Sequence, residues 1–340
     1  MKKILGGLIG AATGDAMGAA TEARTTEQIL EQFGHRVTDF ETPPEDTFSA
    51  GSIAGQVTDD FSSAYFIVQA ILENDGKINE DAIKNALIHW SEHPQFFDRF
   101  AGPTTRMAIK QFKEGIIEDY SGVNISSRQA TNGAAMRISP VGLFFLGDLD
   151  GAIETAVRIT RLTHDNYLAI SGACAVIAAT CKALEPKVDL YGIMEAGLYG
   201  AREGERIGRE VSNDIAGPSV VKKMELAIDI GLSLGEHSEK IKDICDLIGT
   251  GLHISETVGS AFGIIAANKG AAMPSIIDCV NAGYDTDTLA TVAGGICGAY
   301  QGAEAFPNHY LQVLEEANGF RLQTLAMGIQ KITTGSEVTR

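Results

Sequence analysis

The residues with most chemistry to offer stand in two acidic runs. Val57-Thr58-Asp59-Asp60 and Asp285-Thr286-Asp287-Thr288 each lead directly into a segment of small and apolar residues. A single Asp or Thr at such a place is explained as a helix N-cap, its oxygen accepting a free helix N–H and its charge suiting the dipole. Capping needs one such residue, not Asp-Asp or Asp-x-Asp-Thr. Adjacent carboxylates entering an apolar core repel each other and lose solvation unless protons or cations neutralise them. Hard oxygen donors without His or Cys suit Mg²⁺, Mn²⁺ or Ca²⁺ and disfavour zinc. Two such runs brought together by folding could hold two metals about 4 Å apart, close enough for one oxygen to bridge them. The candidate ligands are therefore Thr58, Asp59, Asp60, Asp285, Asp287 and Thr288. A third acidic element, GAATGDAMGAATE over 10–22, carries Asp15 and Glu22. Alone, Asp15 reads as a cap or a backbone partner and Glu22 as a solvated charge.

The remaining candidates are weaker. His89 and His93 in HWSEHP have the i, i+4 spacing of a metal pair but no third ligand nearby, so they read as a helix end closed by Pro94. Asn132-Gly133 offers backbone N–H groups in a turn that could cradle a phosphate, although such dipeptides are usually only turns. Five cysteines at wide spacings, without CxxC, read as small core residues in a reducing compartment, and a cytoplasmic location is expected.

Helices must position these groups. Phe61, Ala64, Tyr65, Val68, Ile71 and Leu72 follow the i, i+3, i+4, i+7 stripe, and so do Leu289, Val292, Ala293, Ile296, Cys297 and Tyr300. Strand alternation is scarce; only VTDFET at 37–42 invites it. Proline, Gly and Asn mark loops near 43–44, 102–103, 121–133, 185–186 and 217–218. The N-terminus imitates a secretory signal, but Gly6, Gly7, Gly10 and Asp15 break its apolar run, and Leu5, Leu8, Ile9 and Ala12 fit an amphipathic first helix. The run 168–184 is slightly short for a bilayer and rich in Ala, Gly and Cys, which predicts a buried core helix and no membrane partner. With no linker, repeat or low-complexity tract, the expectation is one all-α domain over 1–340, its 38 glycines serving close helix approach. A formal charge of −17 repels a phosphate backbone and argues against nucleic-acid binding.

Taken together, these segments resemble the ADP-ribosylglycohydrolase family, which includes dinitrogenase-reductase-activating glycohydrolases and ADP-ribosyl-acceptor hydrolases. The resemblance rests on GLIGAATGDAMGAATE at 7–22, VTDD at 57–60, GPTTR at 102–106, TNGAAMRISPVGL at 131–143, THDN at 163–166, SETVGSAFGII at 255–265 and GYDTDTLATVAGGICGA at 283–299. It implies an all-α orthogonal multi-helix bundle with a binuclear Mg²⁺ or Mn²⁺ centre in a cleft. Thr58, Asp59 and Asp60 match one ligand group and Asp285, Asp287 and Thr288 the other. Glu22 matches an acid at the cleft mouth that contacts substrate or a metal-bound water. Asn132, Gly133, Ala134, Met136 and Arg137 match the loop approaching diphosphate and ribose, His164 a ligand-contacting histidine, and Asp15 a structural aspartate bracing the metal helices. Tyr284 departs from a usual Gly-Gly and could narrow the cleft or stack within it. Gly259 stands where proline is usual, with a loop expected there, and Asp98 is set apart from the aspartate that many members place just before GxTT.

The implied reaction is hydrolysis at ribose C1″ of a bond to a protein side chain or related acceptor, with Glu22 and Asp60 as candidates for moving the proton. An N-glycosidase for a small nucleoside or nucleotide is the second reading. A binding or structural protein without turnover is the third, and loss of acids would favour it; all the matched acids are present.

Overall fold

The structure, a computed structural model, describes residues 1–115 and 129–335. The loop expected at 121–133 lies mostly outside these residues. The described chain is all-α: no strand forms among the described residues, only isolated bridges pairing Thr131 with His253 and Asn166 with Asn213. VTDFET is irregular chain.

The helices that build the site follow in chain order. They begin with α1 (Lys2–Gly18), α2 (Thr26–Phe33), α3 (Asp59–Glu73), α4 (Glu80–Trp90), α5 (Pro94–Phe100) and α6 (Pro103–Glu114). Two single-turn helices, α7 (Gly133–Met136) and α8 (Ser139–Gly142), lead to α9 (Leu149–Arg161), α10 (Tyr167–Ala183), α11 (Leu190–Val211) and α12 (Val220–Leu232). The chain continues through α13 (His237–Leu247), α14 (Ile254–Ala267), α15 (Ala272–Val280), α16 (Thr286–Gln301), α17 (Tyr310–Asn318) and α18 (Leu322–Gly335).

The centre of the fold is the antiparallel pair α1 and α16. The sequence suggests an amphipathic α1, but every residue from Gly6 to Gly18 is buried, and so is every residue of α16 from Thr286 to Ala299. Glycine resolves the difference, because it lets each helix present bare backbone to the other. A Cβ at Gly10 would land on the Gly294 carbonyl, one at Gly14 on the Ala290 carbonyl, and one at Gly18 on the backbone of Asp287. The small-residue spacing that dilutes the hydrophobic signal is what admits the partner helix. Around this pair runs one hydrophobic core that includes Ile4, Phe61, Ile177, Phe262 and Ile329.

Local chemistry sets several other boundaries. Trp90 Nε1 donates to Ser62 Oγ at 3.0 Å, fastening α4 to α3, and Tyr65 stacks on Phe320 with centroids 3.9 Å apart. Pro94 opens α5 rather than closing α4, which has already ended at Trp90; His89 is exposed and His93 half-buried against Phe66, their rings packed edge-on. Gly259 lies inside α14 and not in a loop, since a Cβ there would come within 2.9 Å of Ile248. The 168–184 run forms the buried α10, and no described helix is long and apolar enough to cross a membrane.

The α1–α16 contact yields a prediction. Gly10→Ala should lower unfolding free energy by about 1–3 kcal/mol or more through forced separation of the pair. Gly102→Ala, where a new Cβ meets nothing within 4 Å, should change it by less than about 0.5 kcal/mol. Urea denaturation of both variants checks this, and equal stabilities would remove the close-approach argument.

Candidate active site

Folding brings the two acidic runs together at the starts of α3 and α16. Thr58 is the N-cap of α3, accepting the Asp60 N–H at 3.3 Å, so capping accounts for the threonine and leaves both aspartates over. Asp285 stands at the N-cap of α16 but makes no capping bond; its carboxylate instead accepts the Asn132 amide. Asp287 accepts its neighbour Thr288 N–H at 2.9 Å, and Thr58 Oγ1 lies 3.5 Å from Asp287 Oδ2, joining the two helix starts. Thr286 turns away and donates to the Gly18 carbonyl at 3.0 Å.

Asp15 braces this junction from α1. Fully buried, it accepts Thr58 N–H at 2.9 Å with one oxygen and Phe61 N–H at 2.8 Å with the other, satisfying orphan donors of the first turn of α3. Glu22, four residues past the end of α1, is half-buried at the edge of the cluster. It offers a carboxylate oxygen that lies, with one from Asp285 and one from Asp287, in a group whose members are all within 4.8 Å of one another.

Unit charges at about that separation repel by roughly 3 kcal/mol per pair at an effective dielectric of about 20. The acids accordingly hold protons. Burial, followed by the Asp287 charge, raises Asp59 to about 7, Asp15 to about 8 and Glu22 to about 10. The same causes hold Asp60 and Asp285 well above the usual carboxylate range, and burial raises Asp287. At Asp285 the Asp287 charge is the next cause after burial, so the ionised Asp287 opposes ionisation of its neighbour. Asp60 Oδ2 is buried with no hydrogen-bond partner. An orphan carboxyl oxygen near three converging ones, all of hard donor type, fits a divalent cation that would take the place of the protons.

The predicted substrate wall adjoins Asp285. Asn132 donates to Thr257 Oγ1 at 2.7 Å as well as to Asp285, and its own N–H reaches the Leu252 carbonyl at 3.0 Å. Gly133 sits against the His164 ring; a Cβ there would come within 2.9 Å of Cε1. His164 is buried with Nε2 2.9 Å from Thr131 Oγ1 and Nδ1 2.8 Å from Thr163 Oγ1. Burial, then the charge of Arg137, depresses it to about 3, so it is a neutral hydrogen-bonding ring at working pH. Ala134 and Met136 are buried in the wall. Arg137 is buried too, donating to Thr105 Oγ1 at 3.0 Å while Nε and Nη1 have no partner; burial lowers it to about 10, so it stays a cation facing Asp59 and Asp60.

Tyr284 is 55% exposed and adopts φ 69°, the left-handed conformation that explains a glycine preference there. Its ring lies over Gly251, where a Cβ would strike Cε1. Sequence reading singles out neither Thr105, Thr131 nor Thr257 as a partner of the site. Their segments, GPTTR, TNGAAMR and SETVG, carry the resemblance, but a threonine's role depends on what folding sets opposite it.

The profile of the family described as ADP-ribosylglycohydrolase matches residues 1–337. An uncharacterised protein of Escherichia coli K12, YegU, is 27% identical over 332 residues, covering 97% of each chain. The bovine ADP-ribosylhydrolase ARH3 is 26% identical, covering 93% of this chain and 89% of its own. The ADP-ribosylarginine hydrolase Tri1 of Pseudomonas putida is 25% identical, covering 90% and 72%. A solved structure titled as an ADP-ribosylglycohydrolase-related protein complex superposes with a TM-score of 0.69 at 21% identity, covering 98% of both chains, which establishes the shared fold.

A pH dependence follows from the raised acids. Their protonated folded state is stabilising below about pH 4, and that contribution is lost as pH climbs through the folded values of about 7 to 10. A cation must displace these protons. Its apparent affinity should therefore rise about tenfold per pH unit for each proton displaced. The expected outcome is a larger gain in Tm on adding Mg²⁺ at pH 8 than at pH 5.5; equal gains would count against a cation among these carboxylates.

Proposed function

Because the chain belongs to the ADP-ribosylglycohydrolase family, a family of glycosidic-bond hydrolases, we propose that it cleaves the bond joining ADP-ribose to a protein side chain or related acceptor. The observation that carries this reading is the convergence of Glu22, Asp285 and Asp287 beside the orphan oxygen of Asp60. Thr58, Asp59 and Asp60 from one helix start and Asp285, Asp287 and Thr288 from the other would hold two divalent cations, Mg²⁺ or Mn²⁺. When bound, the cations would neutralise the cluster, engage the ribose hydroxyls and bring a water toward ionisation near neutral pH.

The chain's own groups do the rest. Asn132 fixes Asp285 through its amide. Gly133 and Ala134, in the first turn of α7, present backbone N–H groups to the diphosphate, and His164 closes that side as a neutral ring. Met136 packs the wall, and Arg137 places a fixed positive charge beneath it. Of the two carboxyls that could move the proton, Asp60 is 2% exposed and Glu22 is half-buried at the edge of the cluster. We assign proton transfer with the acceptor to Glu22 and give Asp60 the holding role. The ionised carboxylates nearest the ribose would favour an oxocarbenium-like transition state there.

Residues 1–340 would act as one domain in a reducing compartment such as the cytoplasm, consistent with five unpaired cysteines. The acceptor would be an ADP-ribosylated protein; the name of the Pseudomonas relative makes arginine the first linkage to try. Tyr284 favours a second reading, an N-glycosidase for a small nucleoside, since its exposed ring could stack on a base.

Incubation with Mg²⁺ or Mn²⁺ and an ADP-ribosyl-arginine protein, an ADP-ribosyl-serine peptide and a nucleoside panel separates these readings. Release of ADP-ribose that stops with EDTA, and falls on the order of 10³-fold in Asp287→Ala, is expected. Cleavage of nucleosides alone would transfer the assignment to the second reading, and no cleavage at all would leave a non-catalytic protein. Tyr284→Gly exchanges backbone strain of about 1 kcal/mol for a similar entropy cost, so Tm should hold while KM shifts more than kcat. A fall in Tm with unchanged KM would make Tyr284 a structural residue.

A further inference from the structure

A cavity of about 630 Å³ lies behind the Gly283–Tyr284 turn, bounded by the start of α2, by α13 and by the end of α15. Tyr284 lines it, but none of Glu22, Asp59, Asp60, Asp285 and Asp287 does. Cavity and acidic cluster share a wall instead. Ala23 N–H donates to the Tyr284 carbonyl at 2.7 Å and Tyr284 N–H to the Arg24 carbonyl at 2.9 Å, stitching 22–24 to 283–285. One edge of this stitched pair carries Glu22 and Asp285 in the cluster, and the other carries Arg24 and Tyr284 on the cavity.

The lining chemistry narrows the occupant. Its cations are already matched: Arg24 pairs with Asp46 at 2.5 Å, Arg36 with the buried Asp278, and Lys242 with Asp246. Neutralised cations beside Glu27, Asp246 and Asp278 make a poor seat for a diphosphate. No trio of carboxylates converges here among the described residues, so a metal has no claim either. What remains is an amphoteric surface with apolar ground at Leu30, Ile241 and Ala282 and an exposed tyrosine ring. Such a mixture suits a stretch of polypeptide, whose amides, apolar side chains and scattered charges it can match.

Position agrees with chemistry. The turn that puts Asp285 in the cluster puts Tyr284 on the cavity, and the bonded 22–24 segment likewise carries Glu22 into the cluster and Arg24 onto the cavity, so a chain attached to a sugar at the acids has the cavity as an adjoining surface. We infer that the cavity behind the Gly283–Tyr284 turn is a subsite for the polypeptide flanking the ADP-ribosylated residue; this rests on the hydrolase reading above and makes the substrate a modified protein rather than a free small molecule.

The test compares two substrates of one linkage, ADP-ribosyl-arginine as the free amino acid and within a peptide of about ten residues, with the full chain and Mg²⁺. Wild type should prefer the peptide. Leu30→Glu, at a position 55% exposed, and Lys242→Glu, at a side chain 73% exposed, should each cut kcat/KM for the peptide about tenfold and leave the free conjugate within about twofold, at unchanged Tm. An equal fall for both substrates would give the cavity to ADP-ribose itself and overturn the inference, as would a wild type indifferent to the peptide; in both cases the hydrolase reading stands. A wild type that cleaves neither substrate sinks that reading and this inference with it.

Discussion

Like charge crowded into a dry helix junction is the constraint on which this structure turns. Asp59, Asp60, Asp285 and Asp287, with Asp15 behind them and Glu22 at their edge, cannot all ionise there without accompanying positive charge. Arg137 supplies one unit beneath the cluster, far short of what six carboxylates require. Protons make up the difference in the metal-free chain, and their cost is registered in every raised acid. A fold stabilised only for its own sake would place apolar groups here, since a buried ionic cluster seldom adds stability over well-packed hydrophobic residues. The arrangement makes sense as a site prepared for cations.

Such a site needs a frame that cannot relax away from the repulsion. The α1–α16 pair provides it through backbone contact at Gly6, Gly10, Gly14 and Gly18, where no side chain stands between the helices to rearrange. Gly18 presses on the backbone of Asp287, and Asp15, one helical turn earlier, grips the first turn of α3 through two N–H groups. The same helix thus fixes both acid-bearing ends. The roles of glycine and acid are coupled: the bare helix face allows the approach, and the approach sets the carboxylates within each other's reach.

The sequence made much of this legible, for physical reasons that differ between residues. The two acid runs announced themselves because capping explains only one residue of each, and the structure assigns the cap to Thr58 alone in the first and to no side chain in the second. The helical stripe of α3 was readable from Phe61 to Leu72 although the helix is buried all round from Asp60 to Val68, because Ser62, Ser63 and Gln69 interrupt the apolar run between the stripe positions. The all-round burial of α1 was not, because glycine contributes little hydrophobicity while allowing the tightest packing. Thr105, Thr131 and Thr257 were unreadable as partners of Arg137, His164 and Asn132, each pair being assembled across more than thirty positions of chain. Gly259 was misplaced into a loop because a family preference for proline says nothing of what a small residue there must clear, and Ile248 supplies that reason.

Tyr284 brings these strands together. Its neighbours on either side are constrained: Gly283 at φ 88° makes the turn, and Asp285 must face the cluster. A tyrosine between them holds a left-handed backbone that costs about 1 kcal/mol, and hydrogen bonds to Ala23 and Arg24 keep it there. That cost falls on the wall between the cluster and the cavity behind it, where backbone bonds help to place Glu22 and Asp285 and the tyrosine ring is left exposed. The floor of the site, built from backbone contact and buried carboxylates, leaves almost no freedom to vary. The wall bears an exposed ring, and under the proposed reading substrate choice would vary there while the chemistry beneath is held.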